Sequence, residues 1–371
     1  MNIIVWVAFS IALFAGLLIV TKKQLSTPDK LLSALLFLLA IDSANIGITA
    51  LSLNLNIIPS SFFLLNPAFY LYSRSLINVN FKLKPTQLLH LIPYIFLEFS
   101  NHYFLLSFKS EIFFNIDKNL WIRILYALLF FISLIVYNTL SIISVHKHRM
   151  NLKNEFSNIE RNQRLSWLMF IVILYTVYVV TSTILGFLNF IYNDFETSKI
   201  YNYSASLFIT FILGFYGIKQ EQIYKKHTTN IDNFKDDEKY KKSKLTDKKK
   251  NDIKDLLLLY FKNEKPYLNS DLNMLFLSKK LNIPKYQLTE ILNTTIGKNF
   301  FQFVNEYRVN TVKEKLIDPD NDNFSIEAIG YDCGFSSKSS FFSVFKNETG
   351  QTPLQFKNSN SKKLSEGTDM K

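Results

Sequence analysis

Two stretches in the C-terminal third carry the side chains with the most to offer chemically, and they are copies of one pattern. "LSKKLNIPKYQLTEILNTTIGKNFFQFVN" (Leu277 to Asn305) aligns with "IGYDCGFSSKSSFFSVFKNETGQTPLQFKN" (Ile329 to Asn358). Leu277 pairs with Ile329 and Leu281 with Cys333 at an offset of 52 residues. Leu288 then pairs with Phe341, Ile291 with Val344, Leu292 with Phe345 and Gly297 with Gly350 at an offset of 53, so the second copy has one more residue in its turn. Each copy reads as a short helix, a break, and a second amphipathic helix ended by a glycine suited to the left-handed position after a C-cap. With the apolar members facing a core, one outer face keeps Lys285, Tyr286, Gln287, Thr289, Glu290 and Asn293. The other keeps Ser337, Lys338, Ser339, Ser340, Phe342, Ser343 and Lys346. These are hydrogen-bonding and cationic groups without a paired base, nucleophile or metal set. Their chemistry is recognition, of nucleic acid or of a protein surface.

Elsewhere the sequence offers little for catalysis. The ionisable residues within the apolar stretches are Asp42, His90, Glu98 and His102. Charge inside a bilayer is costly and often marks function, which makes Asp42 and Glu98 the candidates for sensing a signal. His146 and His148 bracket Lys147 and read as a basic anchor rather than as metal ligands. No glycine-rich phosphate loop, paired-carboxylate motif or metal-spaced cluster appears, so no enzyme activity, cofactor or metal is expected. Cys333 is the only cysteine, which excludes an intramolecular disulfide.

The elements that must position these residues follow from a split in composition. Residues 1–218 hold 24 charged residues in 218, whereas residues 219–371 hold 48 in 153. Crossing about 30 Å of hydrocarbon takes about 20 mostly apolar residues. Seven stretches meet that test, at about 3–20, 31–51, 57–78, 86–107, 121–145, 165–191 and 199–218; the third is interrupted by Pro59, Asn66, Pro67 and Arg74. With the N-terminus outside, the inner loops carry eleven Lys and Arg against four in the outer ones, as the positive-inside rule requires. A cleaved leader would carry its positive charge in front of the apolar run; here Lys22 and Lys23 follow it. The outer loops are too short for a folded ectodomain, so a signal must enter between helices, act from the bilayer, or be another membrane protein. The expected organisation is a transmembrane sensor over 1–218, a charged linker over 219–250, a double helix-turn-helix over 251–358 and a disordered tail over 359–371. Pro284 suits the opening turn of the second helix in the first copy, and Ser336 or Ser337 the cap in the second.

Residues from about 250 to 357 resemble the DNA-binding domain of AraC/XylS-type transcription regulators. The resemblance is carried by "LSKKLNIPKYQLTEILN", "GKNFFQFVNEYRV", and above all "GFSSKSSFFSVFK" followed by "TGQTPLQF". The whole chain looks like the membrane-embedded branch of that family. The resemblance implies an all-α protein in which a seven-helix membrane bundle precedes a cytoplasmic double helix-turn-helix at the inner membrane. It implies two recognition helices in successive major grooves, about 34 Å apart, joined by a linker helix near 300–316. Mapped by position, Lys285, Tyr286, Gln287, Thr289 and Glu290, then Lys338, Ser339, Ser340 and Ser343, face bases; Lys298 and Lys346 suit phosphates. The partners so implied are double-stranded DNA and membrane lipids, with a second copy of the chain, RNA polymerase and a small-molecule or membrane-protein signal as further expectations. The rival reading is a transporter or channel with a cytoplasmic protein-binding tail. Two departures from the family pattern stand out. Arg308 is the only arginine after residue 218, so bidentate guanine reading by arginine is absent, and Gly330 stands where the family usually has alanine. The setting of Arg308 in "NEYRVN" suggests a structural role.

Overall fold

The computed structural model describes residues 2–50, 61–78, 81–104, 116–159, 163–192, 195–231 and 245–368. Within these residues the chain is helical and forms no strand, only an isolated antiparallel bridge between Phe156 and Asn273. It divides into two compact units, residues 1–147 with 165–229, and residues 148–164 with 230–371.

The first unit is built from α1 (Asn2–Val20), α2 (Thr27–Ala50), α3 (Phe62–Ile77), α4 (Ile92–Phe104), most of α5 (Leu120–Glu155), α6 (Ser166–Tyr192) and most of α7 (Phe195–Ile231); the end of α5 from His148 belongs to the second unit. Among the described residues, four helical stretches are long and apolar enough to cross a membrane: Ile3–Val20, Thr27–Ile48, Leu120–Glu155 and Ser166–Asn189. Within the third expected span, the described helix runs over 16 residues with Pro67 inside it. The beginning of that span, the end of the fourth and the lysine run through residue 244 lie outside the described residues.

This unit is apolar on both sides. Inside, α1 packs on α2 and α2 on α3, around Ala12, Ile19, Leu32, Leu36 and Leu76. Outside, Phe14, Ile132, Ile135, Ile173, Ile184, Phe187 and Phe211 are exposed. Two polar pairs join its helices: Asn138 Nδ2 donates to Thr176 Oγ1 at 2.8 Å, and Ser182 Oγ to Asn202 Oδ1 at 2.6 Å. A cavity of about 220 Å³ opens among α2, α3, α5, α6 and α7, and Asp42, Tyr175, Tyr178, Ser182, Thr183 and Ser206 contribute its polar lining. Glu98 is half-buried on α4 and is not part of that lining.

The second unit contains α8 (Asp247–Glu264), α9 (Met274–Leu281), α10 (Lys285–Ile291), α11 (Phe300–Ile317), α12 (Ile326–Asp332), α13 (Lys338–Thr349) and α14 (Pro353–Thr368). α7 runs to Ile231, into the expected linker, and α14 extends ten residues past Asn358. Two cores flank α11. One gathers Leu257, Phe261, Leu277, Leu288, Ile291 and Phe303; the other gathers Val312, Ile329, Cys333, Phe341 and Phe345. The residues paired by the repeat therefore occupy equivalent places. Ser337 caps α13 by accepting from the Ser340 amide at 3.3 Å, whereas Pro284 sits just before α10 as its cap residue.

Candidate nucleic-acid interface

The two motifs are positioned by short, specific local devices. Asn273 caps α9 through the amide of Phe276 at 2.9 Å, and Asn282 takes a left-handed conformation to end it. The hydroxyl of Ser278 donates to the carbonyl of Ile283 at 2.7 Å, which fixes the turn into α10. A π-turn over Leu292–Ile296 then leads to Gly297 at φ 77°, matched in the second motif by Gly350 at φ 75°. Asn299 and Gln302 form a reciprocal capping box at the start of α11. In the second motif Ser325 caps α12 and Ser337 caps α13. Gly330 makes the close crossing possible, since a Cβ there would fall 2.6 Å from the ring of Phe341. The glycine is required by the bulk opposite it, which answers its departure from alanine.

Arg308 lies at the junction of the two motifs and is fully buried. Its Nε donates to the carbonyl of Tyr267 at 2.7 Å. Nη2 donates to the carbonyl of Asn269 at 2.9 Å and to Ser157 Oγ at 3.0 Å. Nη1 donates to the Ser157 carbonyl at 3.2 Å. These acceptors are neutral, so burial without a counter-ion pushes its pKa down to about 9. Gly334, at φ 91°, passes so near that a Cβ would meet the Tyr267 carbonyl and Arg308 Nε. The structural role expected for Arg308 is what the structure shows.

The outward residues divide sharply between the motifs. On α13, Lys338, Ser339, Ser343 and Lys346 are exposed, while Ser337 and Ser340 are half-buried. Lys338 Nζ lies 2.6 Å from Glu327 Oε1 and over the ring of Phe342. That bond holds the Glu327 carboxyl below its ordinary range and raises Lys338. On α10, Tyr286, Thr289 and Glu290 are half-buried, with Glu290 paired to Lys250 at 3.1 Å. Lys298 pairs with Glu306. Lys285 and Gln287 depart from the outer-face expectation, at only 8% and 9% exposure. The cause for Lys285 is Glu155, whose Oε2 lies 2.8 Å from its Nζ; Gln287 turns its amide to the Tyr286 hydroxyl at 3.1 Å.

The basic reading of His146, Lys147 and His148 gives no sign of the contact between Glu155 and Lys285. The only local hint is an apolar and polar "FSN" between basic residues, which is too common to single out.

Two helix-turn-helix motifs on one linker helix define a DNA-binding domain of the kind transcription regulators use. Residues 277–359 match a family model described as "Helix-turn-helix domain", and they form an AraC/XylS-type domain. No curated protein matches the chain. Among solved structures, a protein of unknown function from Listeria innocua is 23% identical over 29% of this chain and 94% of its own, with a TM-score of 0.25.

Proposed function

We propose that the chain is a membrane-bound, sequence-specific transcription regulator, in which residues 1–218 sense a signal and residues 251–358 bind a promoter. The observation that carries the DNA half is the pair of equivalent helices α10 and α13 on the shared helix α11. Each is short enough to enter a major groove by its N-terminal turn. The reading of bases falls to Lys338, Ser339, Ser340 and Ser343 on one motif, and to Lys285, Tyr286, Gln287, Thr289 and Glu290 on the other. Lys298 and Lys346 set register on phosphates.

The membrane half is supported by its apolar exterior, by inward polar pairs such as Asn138 with Thr176, and by basic residues concentrated in the loops assigned to the inside. Its cavity suits a ligand of small-molecule size. The Asp42 carboxylate would take a cationic or hydrogen-donating group, with the rings of Tyr175 and Tyr178 beside it. Glu98 acts from α4, outside that cavity. A signal bound in the bundle changes promoter affinity, and a second protomer adds phosphate contacts on the DNA.

The test is a mobility shift with the purified full chain and a duplex it selects from a random pool. Affinity should fall steeply between low and moderate salt, because each neutralised phosphate releases counterions. An affinity indifferent to salt, or no selection at all, would remove the DNA reading.

A further inference from the structure

The segment Glu155–Asn158, at the end of α5, is built into the DNA-binding unit where it touches both motifs and the helix between them. Phe156 bridges to Asn273, the cap residue of α9. The amide of Ser157 donates to the carbonyl of Leu272 at 3.4 Å, and its hydroxyl to the same carbonyl at 2.6 Å. Its own carbonyl accepts from Asn305 Nδ2 at 3.1 Å and from Arg308 Nη1 at 3.2 Å, both on α11. Asn158 Nδ2 donates to the carbonyl of Ser270 at 2.7 Å, ahead of the first motif, and to that of Gly334 at 2.9 Å, in the turn of the second. Ser157 is wholly buried. Two residues upstream, Glu155 pairs with Lys285.

Three physical consequences follow. A four-residue segment that bonds to the approach of α9, to α11 and to the α12–α13 turn fixes how the two recognition helices are set on their common axis. It also completes the shell of Arg308, so undocking would leave a buried guanidinium short of acceptors until water enters. Finally, the carboxylate of Glu155 already holds the Lys285 ammonium at 2.8 Å, so any phosphate or base edge that takes this cation must displace it.

We propose that Glu155–Asn158 is an intramolecular strap that holds the first recognition helix closed to DNA, and that its release opens the site. Because α5 is one continuous helix from Leu120 to Glu155, a shift or rotation of its apolar stretch is delivered at the strap. The proposal rests on the DNA-binding reading for its output and on the strap contacts for its mechanism, and the two can be tested apart.

The bridge pair gives the experiment. Residues opposed across an antiparallel bridge have Cα atoms about 4.5–5.5 Å apart, within disulfide range. The full-length F156C/N273C variant in lipid nanodiscs should therefore form an intramolecular disulfide under mild oxidation, read as a mobility difference on non-reducing gels. The oxidised form should bind a duplex selected by the native chain on the order of tenfold more weakly than the same sample after reduction, a usual size for coupling between sites. A second variant leaves the Asn273 cap intact: S157A/N158A should bind that duplex several-fold more tightly than the native chain. It should also exchange the backbone amides of residues 269–273 faster. Absence of the cross-link in a folded sample overturns docking of the strap. Equal or tighter DNA binding by the oxidised form overturns its inhibitory role. Failure of the native chain to select any duplex sinks the DNA reading, and with it the strap's output, while the cross-link still decides whether the strap docks.

Discussion

The two helix-turn-helix motifs share a pattern of apolar residues but not a surface. In the second motif Lys338 is 62% exposed at its side chain, although Glu327 from the preceding helix holds it. In the first motif Lys285 is 9% exposed at its side chain and is held by Glu155, which comes from far upstream in the chain. Each recognition helix thus presents a lysine to a glutamate, one locally and openly, the other across the sequence and under cover. Duplication set the cores alike; on the surface it left one lysine exposed and the other covered by a segment from elsewhere in the chain.

The comparison can be broken first at the cores, where the effects are largest. Phe341→Ala and Leu288→Ala remove equivalent buried side chains, and each should destabilise its motif by roughly 2–5 kcal/mol; thermal melts of the solubilised chain that leave either transition unmoved would show the cores are not equivalent. Gly330→Ala should cost about 1–3 kcal/mol by crowding Phe341, measured in the same melts, and an unchanged melt would mean the crossing relaxes freely.

At the surfaces the motifs should diverge. Lys338→Ala should weaken binding to a selected duplex by about 1–3 kcal/mol without changing the melt. Lys285→Ala should matter much less in the native chain, and should approach the same loss only in a Glu155→Gln background. A double-mutant cycle by mobility shift reads this directly, and equal losses in both backgrounds would mean that Glu155 does not screen Lys285.

The smallest effect concerns Glu327. Its folded-state pKa is depressed by the hydrogen bond from Lys338, so the pair is intact above the ordinary glutamate range and is lost as pH falls through the depressed value. Glu327→Gln should bring a slight gain in DNA affinity near neutral pH that fades as acid protonates the native carboxylate, and a gain undiminished in acid would contradict the sign.

Much of this was legible in advance because it is periodic. The repeat placed Leu277, Leu288, Ile329 and Phe341 in cores, and the glycines at 297 and 350 at left-handed helix ends, since both facts depend on residues within a few positions of one another. The apolar runs announced long helices for the same reason. The exposure of α10 was misjudged because amphipathicity tells which face avoids the core, not what else will cover it.

The sequence by itself determined the helical elements, the duplicated motif and the division between an apolar and a charged part, all of them written in local spacing. Only the tertiary structure decided the setting of Arg308 and the cover over Lys285. Asn305 and Arg308 meet Ser157 across 148 and 151 positions. Hydrogen bonds of that separation impose no period on the chain. They depend on a buried guanidinium finding neutral acceptors wherever the fold brings them, and that is settled only when the cores have closed.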